Sequence, residues 1–393
     1  MSNFLQQNSC GCLLPRKNSI TVSVAAKVNL SLIVKGKRTD GYSDLCSILT
    51  SIALYDSVTI APIVSHDNSA GLPQQAHNNK YSSAPQSQSA NSGNTISLCA
   101  TSAYNIIPPA AQKTADAFTS KFGLPYVSIK VKKGIPLGAG LGGSSAVAAA
   151  IIIGMCKLFD INLFNDVSNV KRSVSNDVAK SVSDNVAQSV PSQTIFSNDL
   201  FNKDILSLAA SIGSDVPFQL YGGIAKLSGK GDFLEFVAPT ENSNSFKPLN
   251  IVIAKPKGYV VTADCFAQYY KLVSQGVTPK ATPKITTKAK PTHNQKLLEA
   301  LQKGDLQKVS PLVRNDLTSA AISLNSEILT YKQTISQLTN PQIIEMSGSG
   351  SSVFALYESA NQAQSAERLL KPELHFVKAT TTIPHSKAVI IAH

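Results

Sequence analysis

The stretch Ile135–Ala150, IPLGAGLGGSSAVAAA, constrains the fold of this 393-residue chain more than any other. It sets Gly138, Gly140, Gly142 and Gly143 ahead of Ser144 and Ser145, and a run of good helix formers follows. Upstream, Tyr126–Val131 (YVSIKV) alternates as a strand does, so the unit reads strand, glycine turn, helix. Glycines let backbone N–H groups approach an anion without side-chain collision, and the start of a helix adds unpaired donors and a favourable dipole. This geometry suits phosphate, with the Ser144 and Ser145 hydroxyls as further donors. The loop is not a P-loop, because G-x-x-x-x-G-K-[ST] is missing, and no acidic residue about twenty positions on completes a dinucleotide fingerprint. Alone, it reads equally as a tight turn that permits close packing.

The flanking chain is mixed in character. Ile20–Leu32 and Leu54–Ile63 predict strands, and the spacing over Ala110–Phe122 predicts a helix. Between about 64 and 95, and again over 165–198, the composition collapses to polar residues unable to bury a core; both segments are expected to be surface insertions. The second contains an imperfect octad, RSVSNDVA and KSVSDNVA, too short for a solenoid. Structure resumes at Ile205–Ile212, passes the turn GSDVP at Gly213–Pro217, and leads to expected strands at Phe218–Leu227 and Leu249–Ala254. A Pro- and Lys-rich tract, Gly276–Pro291, divides the chain; beyond it Leu297–Val309 and Ile322–Leu338 predict helices, and Glu345–Tyr357 (EMSGSGSSVFALY) a glycine-serine turn running into a strand.

The formal net charge of +12 raises a nucleic-acid surface as a possibility, but the basic residues are spread out, and Lys280–Lys290 (KATPKITTKAK) has no aromatics for base stacking. Attraction of an anionic small substrate is the better use of that charge. The six cysteines are scattered singly apart from Cys10 and Cys12, which predicts reduced thiols and neither a disulfide framework nor a zinc site. The longest apolar run, Ala146–Cys156, is about half the length a membrane span needs. The expectation is a cytoplasmic protein with no membrane or nucleic-acid partner, as monomer or homodimer.

Three further segments accompany the glycine loop: AAKVNLSLIVKGKRTDGYSDL (Ala25–Leu45), GSDVPF (Gly213–Phe218) and MSGSGSSVFALY (Met346–Tyr357). In this order the four resemble the motifs of the GHMP kinase superfamily, and most of the chain outside the insertions and the first twenty residues takes part. Within it the chain most resembles the 4-diphosphocytidyl-2-C-methyl-D-erythritol kinases, through KVNL, DGY, GAGLGG-SS, GSDVPF-GG and SGSGSSVFAL. The resemblance implies an α+β, two-lobed GHMP kinase fold with the active site in the inter-lobe cleft. The expected organisation is a variable tail over 1–20, an amino-terminal lobe over 21–234 and a carboxy-terminal lobe over 235–393. The implied reaction transfers the γ-phosphoryl group of ATP, accompanied by Mg²⁺, to the 2-hydroxyl of a cytidyl diphosphate of a branched polyol.

The resemblance also implies roles. Asp215 matches the base that takes the alcohol proton, and Lys27 the lysine that holds it ionised and neutralises charge on the transferred group; such a pair suits phosphoryl transfer, which asks for alignment and charge stabilisation. Asn29 matches a residue beside the reacting hydroxyl, and Tyr42 an aromatic that stacks on cytosine, with Phe266 as the opposite face. Asn105 and Lys133 match the adenine side of the nucleotide pocket, and Pro136, Gly138, Gly140, Gly142, Gly143, Ser144 and Ser145 its phosphate loop. No protein metal ligand is expected. Two departures stand out: Ser43 occupies the place of a histidine that bonds the cytosine edge, and the loop reads GGSSAVAA, closer to the general superfamily pattern. These leave room for a homoserine or mevalonate-type kinase, or for a catalytically silent metabolite sensor. From the residues alone, Asp215 reads equally as a capping turn residue.

Overall fold

The computed structural model describes residues 18–63, 93–99, 106–165, 194–196, 200–231, 233–237, 247–277 and 292–392. Asn105, Cys10, Cys12, most of both polar insertions and the tract 278–291 lie outside them. The strands are β1 (Ile20–Lys37), β2 (Ser43–Pro62), β3 (Thr95–Leu98), β4 (Val127–Lys132), β5 (Thr194–Phe196), β6 (Ile224–Gly229), β7 (Phe233–Val237), β8 (Asn250–Lys255), β9 (Arg314–Asn315), β10 (Ile343–Met346), β11 (Val353–Tyr357), β12 (Phe376–Ile383) and β13 (Val389–Ala392). The helices are α1 (Pro109–Phe122), α2 (Gly143–Leu158), α3 (Lys203–Ile212), α4 (Val216–Gln219), α5 (Thr262–Ser274), α6 (His293–Lys303), α7 (Leu306–Val309), α8 (Thr318–Leu324), α9 (Glu327–Thr339), α10 (Ala360–Leu370) and α11 (His385–Ala388).

The β-branched amino-terminal run forms one long hairpin, β1 with β2, paired from Ile20↔Ile60 to Lys37↔Ser43. β2 organises the sheet. Its first half pairs with β6, its second half with β4, and Ile52 and Ser51 meet β12. β12 continues to β8, β11 and β10, while β13 returns to pair with β1. The expected carboxy-terminal lobe is thus joined to the amino-terminal one through a single sheet, and two apolar cores lie on it. One surrounds α2, whose residues Ala146–Ile152 are fully buried against β1, β2 and α1; its alanines let the helix approach the sheet closely. The other gathers β8 and β11 with α5, α8, α9 and α10.

Four expectations of element type change. The strand foreseen at Phe218–Leu227 begins as the helical turn α4, because Pro217 in its first turn fits a helix start. Gly222 and Gly223, at φ of 75° and 79°, then redirect the chain into β6. The helix foreseen over Leu297–Val309 divides at Gly304, whose φ of 60° ends α6, and Asp305 accepts the Lys308 N–H to start α7. The one over Ile322–Leu338 divides at Asn325, whose side chain accepts the Glu327 N–H. The second polar segment contains a strand, β5, on the edge of β7.

Candidate active site

Four segments distant in sequence converge at the amino-terminal end of α2. The glycine loop takes left-handed backbone at Gly138, Gly140 and Gly142, with φ of 57°, 70° and 72°. Gly140 has a second reason to be glycine: a Cβ there would stand 2.3 Å from the Ser347 carbonyl oxygen. The loop carbonyls are tied back, since Leu141 O accepts the Lys27 N–H at 3.0 Å, Ala139 O the Ser352 N–H at 3.2 Å and Gly140 O the Ser347 hydroxyl at 3.0 Å. α6 and α10 begin with capping boxes, at Thr292 and Ser359; α2 begins at Gly142 with no side-chain cap. Its first N–H groups therefore stay available to an anion.

The loop, Pro136–Ser145, forms one wall of a cavity of about 1130 Å³, with Pro108 and Pro109 beside it. The carboxy-terminal half adds Lys255, Lys257, Tyr259, His375 and Phe376 to the lining. These five carry no motif in the sequence, and only the folding of β8 and β12 toward the loop reveals them. A smaller cavity of about 450 Å³ at Lys247, Lys303 and Glu358 shares no residue with the loop.

A register shift at Asn29/Ser31 bulges β1 beside Asn29, and one at Ala25/Ala26 places its extra residues, Ala53 and Leu54, on β2; Lys27 and Asn29, two positions apart between them, share one face of β1. Lys27 is almost fully buried; its Nζ donates to Asn29 Oδ1 at 2.7 Å and lies 3.3 Å from Asp215 Oδ2. Asp215 occupies the N-cap position of α4, yet its carboxylate makes no cap hydrogen bond and faces Lys27 instead. The capping reading of this aspartate is thereby set aside. Asn29 has both ends of its amide engaged, since Nδ2 donates to Ser47 at 2.8 Å, so its contact with the Lys27 ammonium is fixed in orientation. The loop Ser347–Ser352 closes the assembly: the Ser347 hydroxyl accepts the Asn29 N–H at 3.3 Å, and the point where a Gly348 side chain would start is 3.4 Å from Lys27 Nζ. Gly142 packs on Lys27 and Gln219, and Gly213 comes near the Ser145 hydroxyl. Gln219 Nε2 is buried there without a hydrogen-bond partner.

Tyr42 lies apart from this cluster, at the end of the β1–β2 hairpin. It is 61% exposed, enough to offer a ring face, with Lys230 Nζ 5.5 Å from the ring centroid. Phe266 packs half-buried on the second core, and one turn along α5 the Tyr270 hydroxyl donates to Ser43 Oγ at 2.9 Å. The fold thus brings the helix of Phe266 to the residue beside Tyr42, and the sequence held no signal for Tyr270.

Lys133, expected on the adenine side of the nucleotide pocket, does line the cavity. Its ammonium is wholly buried in an ion pair with Asp56. The alternation of β4 places position 133 on the same face as Val127, Ile129 and Val131, so burial follows from the strand's parity. Burial drives the Asp56 carboxyl's pKa up and that of Lys133 down, and the attraction between the two opposes both shifts.

The family described as GHMP kinases N terminal domain matches residues 109–193, and the one described as GHMP kinases C terminal matches residues 297–371. Both halves of the chain are thus similar to the GHMP kinases. A 4-diphosphocytidyl-2-C-methyl-D-erythritol kinase of Carboxydothermus hydrogenoformans is 29% identical to this chain over 342 residues, 86% of the chain and 88% of the relative. Among solved structures, a 4-(cytidine 5'-diphospho)-2C-methyl-D-erythritol kinase matches with a TM-score of 0.58 at 22% identity, covering 92% of this chain and 98% of that one. A homoserine kinase from Cytophaga hutchinsonii matches almost as well, with a TM-score of 0.56 at 16% identity over 99% and 100% of the two chains. The fold is therefore common to kinases of different acceptors.

Proposed function

We propose that this chain transfers the γ-phosphoryl group of ATP to the 2-hydroxyl of 4-diphosphocytidyl-2-C-methyl-D-erythritol, in the non-mevalonate route to isoprenoid precursors. Relatives that span most of the chain carry that activity in their names. The observation that carries the mechanism is the Lys27–Asp215 pair, 3.3 Å apart beside the uncapped start of α2. In this reading Asp215 takes the hydroxyl proton as the alcohol oxygen bonds to the γ-phosphorus and the bond to ADP breaks. Lys27 offsets the charge that develops, and loop N–H groups with Ser144 and Ser145 hold the phosphates. The described residues contain no group of three metal-binding side chains. In this reading Mg²⁺ would enter with the nucleotide, held by its phosphates and by waters, which this ion retains readily. Tyr42, with Phe266, receives the cytosine.

The division into lobes near residue 234 and a cytoplasmic location belong to the same reading; among the described residues, no helix is long and apolar enough to cross a membrane. A second reading, a GHMP kinase for homoserine or mevalonate, draws on Ser43 and on the near-equal match to a homoserine kinase fold.

The deciding assay offers the cytidyl substrate, homoserine and mevalonate to the purified protein with ATP, beside Asp215→Asn. Turnover on the cytidyl substrate is expected to fall by about 10² to 10⁴ in the variant, the usual worth of a general base. Turnover on another acceptor alone would replace the substrate, and ATP binding without turnover on any would leave a sensor.

A further inference from the structure

The buried pair of Asp56 and Lys133 lies outside the reacting cluster yet touches both ends of the glycine loop. β2 and β4 are antiparallel with Ser57↔Lys132 and Val58↔Val131 in register, so Asp56 and Lys133 are the next opposed pair, on the face that carries Val58, Ile60, Ile129 and Val131 into the core. Both side chains have zero exposure. A core position of this kind is ordinarily apolar, and a matched apolar pair serves stability as well as or better than a buried ion pair. The charges therefore call for another explanation, and their remaining contacts supply it.

Asp56 Oδ1 accepts the N–H of Gly134 at 2.8 Å and that of Ile135 at 2.9 Å, the two residues at which the chain leaves β4 for the loop. Asp56 Oδ2 accepts the Lys133 ammonium. Lys133 Nζ in turn lies 3.5 Å from the carbonyl oxygen of Gly143, the first residue of α2, where the loop ends. Gly134 permits the approach, because a Cβ there would stand 2.4 Å from the Tyr55 carbonyl oxygen. One carboxylate and one ammonium thus link the chain at Gly134 and Ile135 to Gly143 across the loop, at the edge of the cavity.

We propose that Asp56 and Lys133 are positioning residues for nucleotide binding: Asp56 fixes the start of the glycine loop through its two N–H bonds, Lys133 fixes its end at Gly143, and the pair holds the loop in its anion-binding shape. The inference rests on the reading of the cavity as a nucleotide site.

The test measures binding of the non-hydrolysable analogue AMP-PNP by calorimetry, together with separate KM values for ATP and for the acceptor. Asp56→Leu combined with Lys133→Met removes both charges without stranding either, and is expected to fold. It leaves the Gly134 and Ile135 N–H groups without an acceptor, so AMP-PNP affinity is expected to fall about tenfold or more, with KM for ATP rising in step and KM for the acceptor unchanged. Asp56→Asn combined with Lys133→Gln keeps an oxygen for both N–H groups and is expected to recover part of the loss. A folded Leu/Met variant that binds AMP-PNP as tightly as the unaltered chain overturns the inference while leaving the nucleotide site intact. Failure of the unaltered chain to bind AMP-PNP overturns both. Loss of folding in both double variants, judged by circular dichroism, assigns the pair to stability alone and also overturns it.

Discussion

Tyr42 differs from the other site residues in being held by so little. Its N–H donates to Asp40 at 3.2 Å and its ring projects from the hairpin end, whereas Lys27 and Asn29 are buried and bonded on every side. In the proposed function such a residue serves binding rather than the fold. Tyr42→Ala is expected to raise KM for the cytidyl acceptor about 5- to 100-fold, in line with ~1–3 kcal/mol for a base stacked on an aromatic ring. KM for ATP and the melting temperature should hardly move. Equal effects on both KM values would place the cytosine elsewhere. At the same scale, Ser43 is held by the Tyr270 hydroxyl at 2.9 Å, a contact between strand and helix that no local pattern announces.

Among the elements, α2 joins the site to the core. Its first turn faces the cavity, and the rest is packed without an exposed face, so the helix carries the rigidity of the core to the loop. Gly154 marks how closely it approaches the sheet: a Cβ there would stand 2.5 Å from Ile60 Cδ1, and Ile60 is itself fully buried. Replacing a mid-helix glycine with alanine normally stabilises by about 1 kcal/mol. Here overpacking, typically ~1–3 kcal/mol, opposes that gain, and Gly154→Ala is expected to be less stable by about 1 kcal/mol. A denaturant titration decides the matter, since an unchanged or higher midpoint would mean that Ile60 rotates aside without cost. The same element scale explains the broken helices. Gly304 and Asn325 are local signals for a stop, but each lies inside a run whose apolar spacing continues past it, and the spacing alone reads as one helix.

For the whole molecule, the return of the last strand to the first is the defining connection, and its approach passes through α11. There His385 stacks on Tyr221 with ring centroids 4.8 Å apart, half-buried, and burial lowers its pKa; His293, bonded to the Leu312 carbonyl, is lowered for the same reason. A histidine whose folded pKa lies below its ordinary value of about 6.5 binds fewer protons in the fold than in the unfolded chain. Stability from these imidazoles is therefore complete above about pH 6.5 and declines as pH falls through that value toward the folded pKa. The melting temperature is expected to drop between pH 7.5 and pH 5.5, and His385→Phe, which keeps a ring on Tyr221 but does not titrate, should drop less. Parallel curves for the two proteins would show that His385 does not contribute.

Local pattern was enough to find the strand–glycine–helix unit, most of β1, the second half of β2 and the glycine-serine turn before β11, because alternation and glycine's backbone freedom act over a few neighbouring residues. It also held, unread, the parity that buries position 56 with Val58 and Ile60, and position 133 with Ile129 and Val131. Which of these residues meet depends on long-range packing. Asp56 and Lys133 are 77 positions apart and Asn29 and Ser347 318 apart, and their contacts exist because β2 and β4 pair in one register and a carboxy-terminal loop closes on β1. Neither register nor closure is a property of any single segment; each is fixed by burying one apolar face against another.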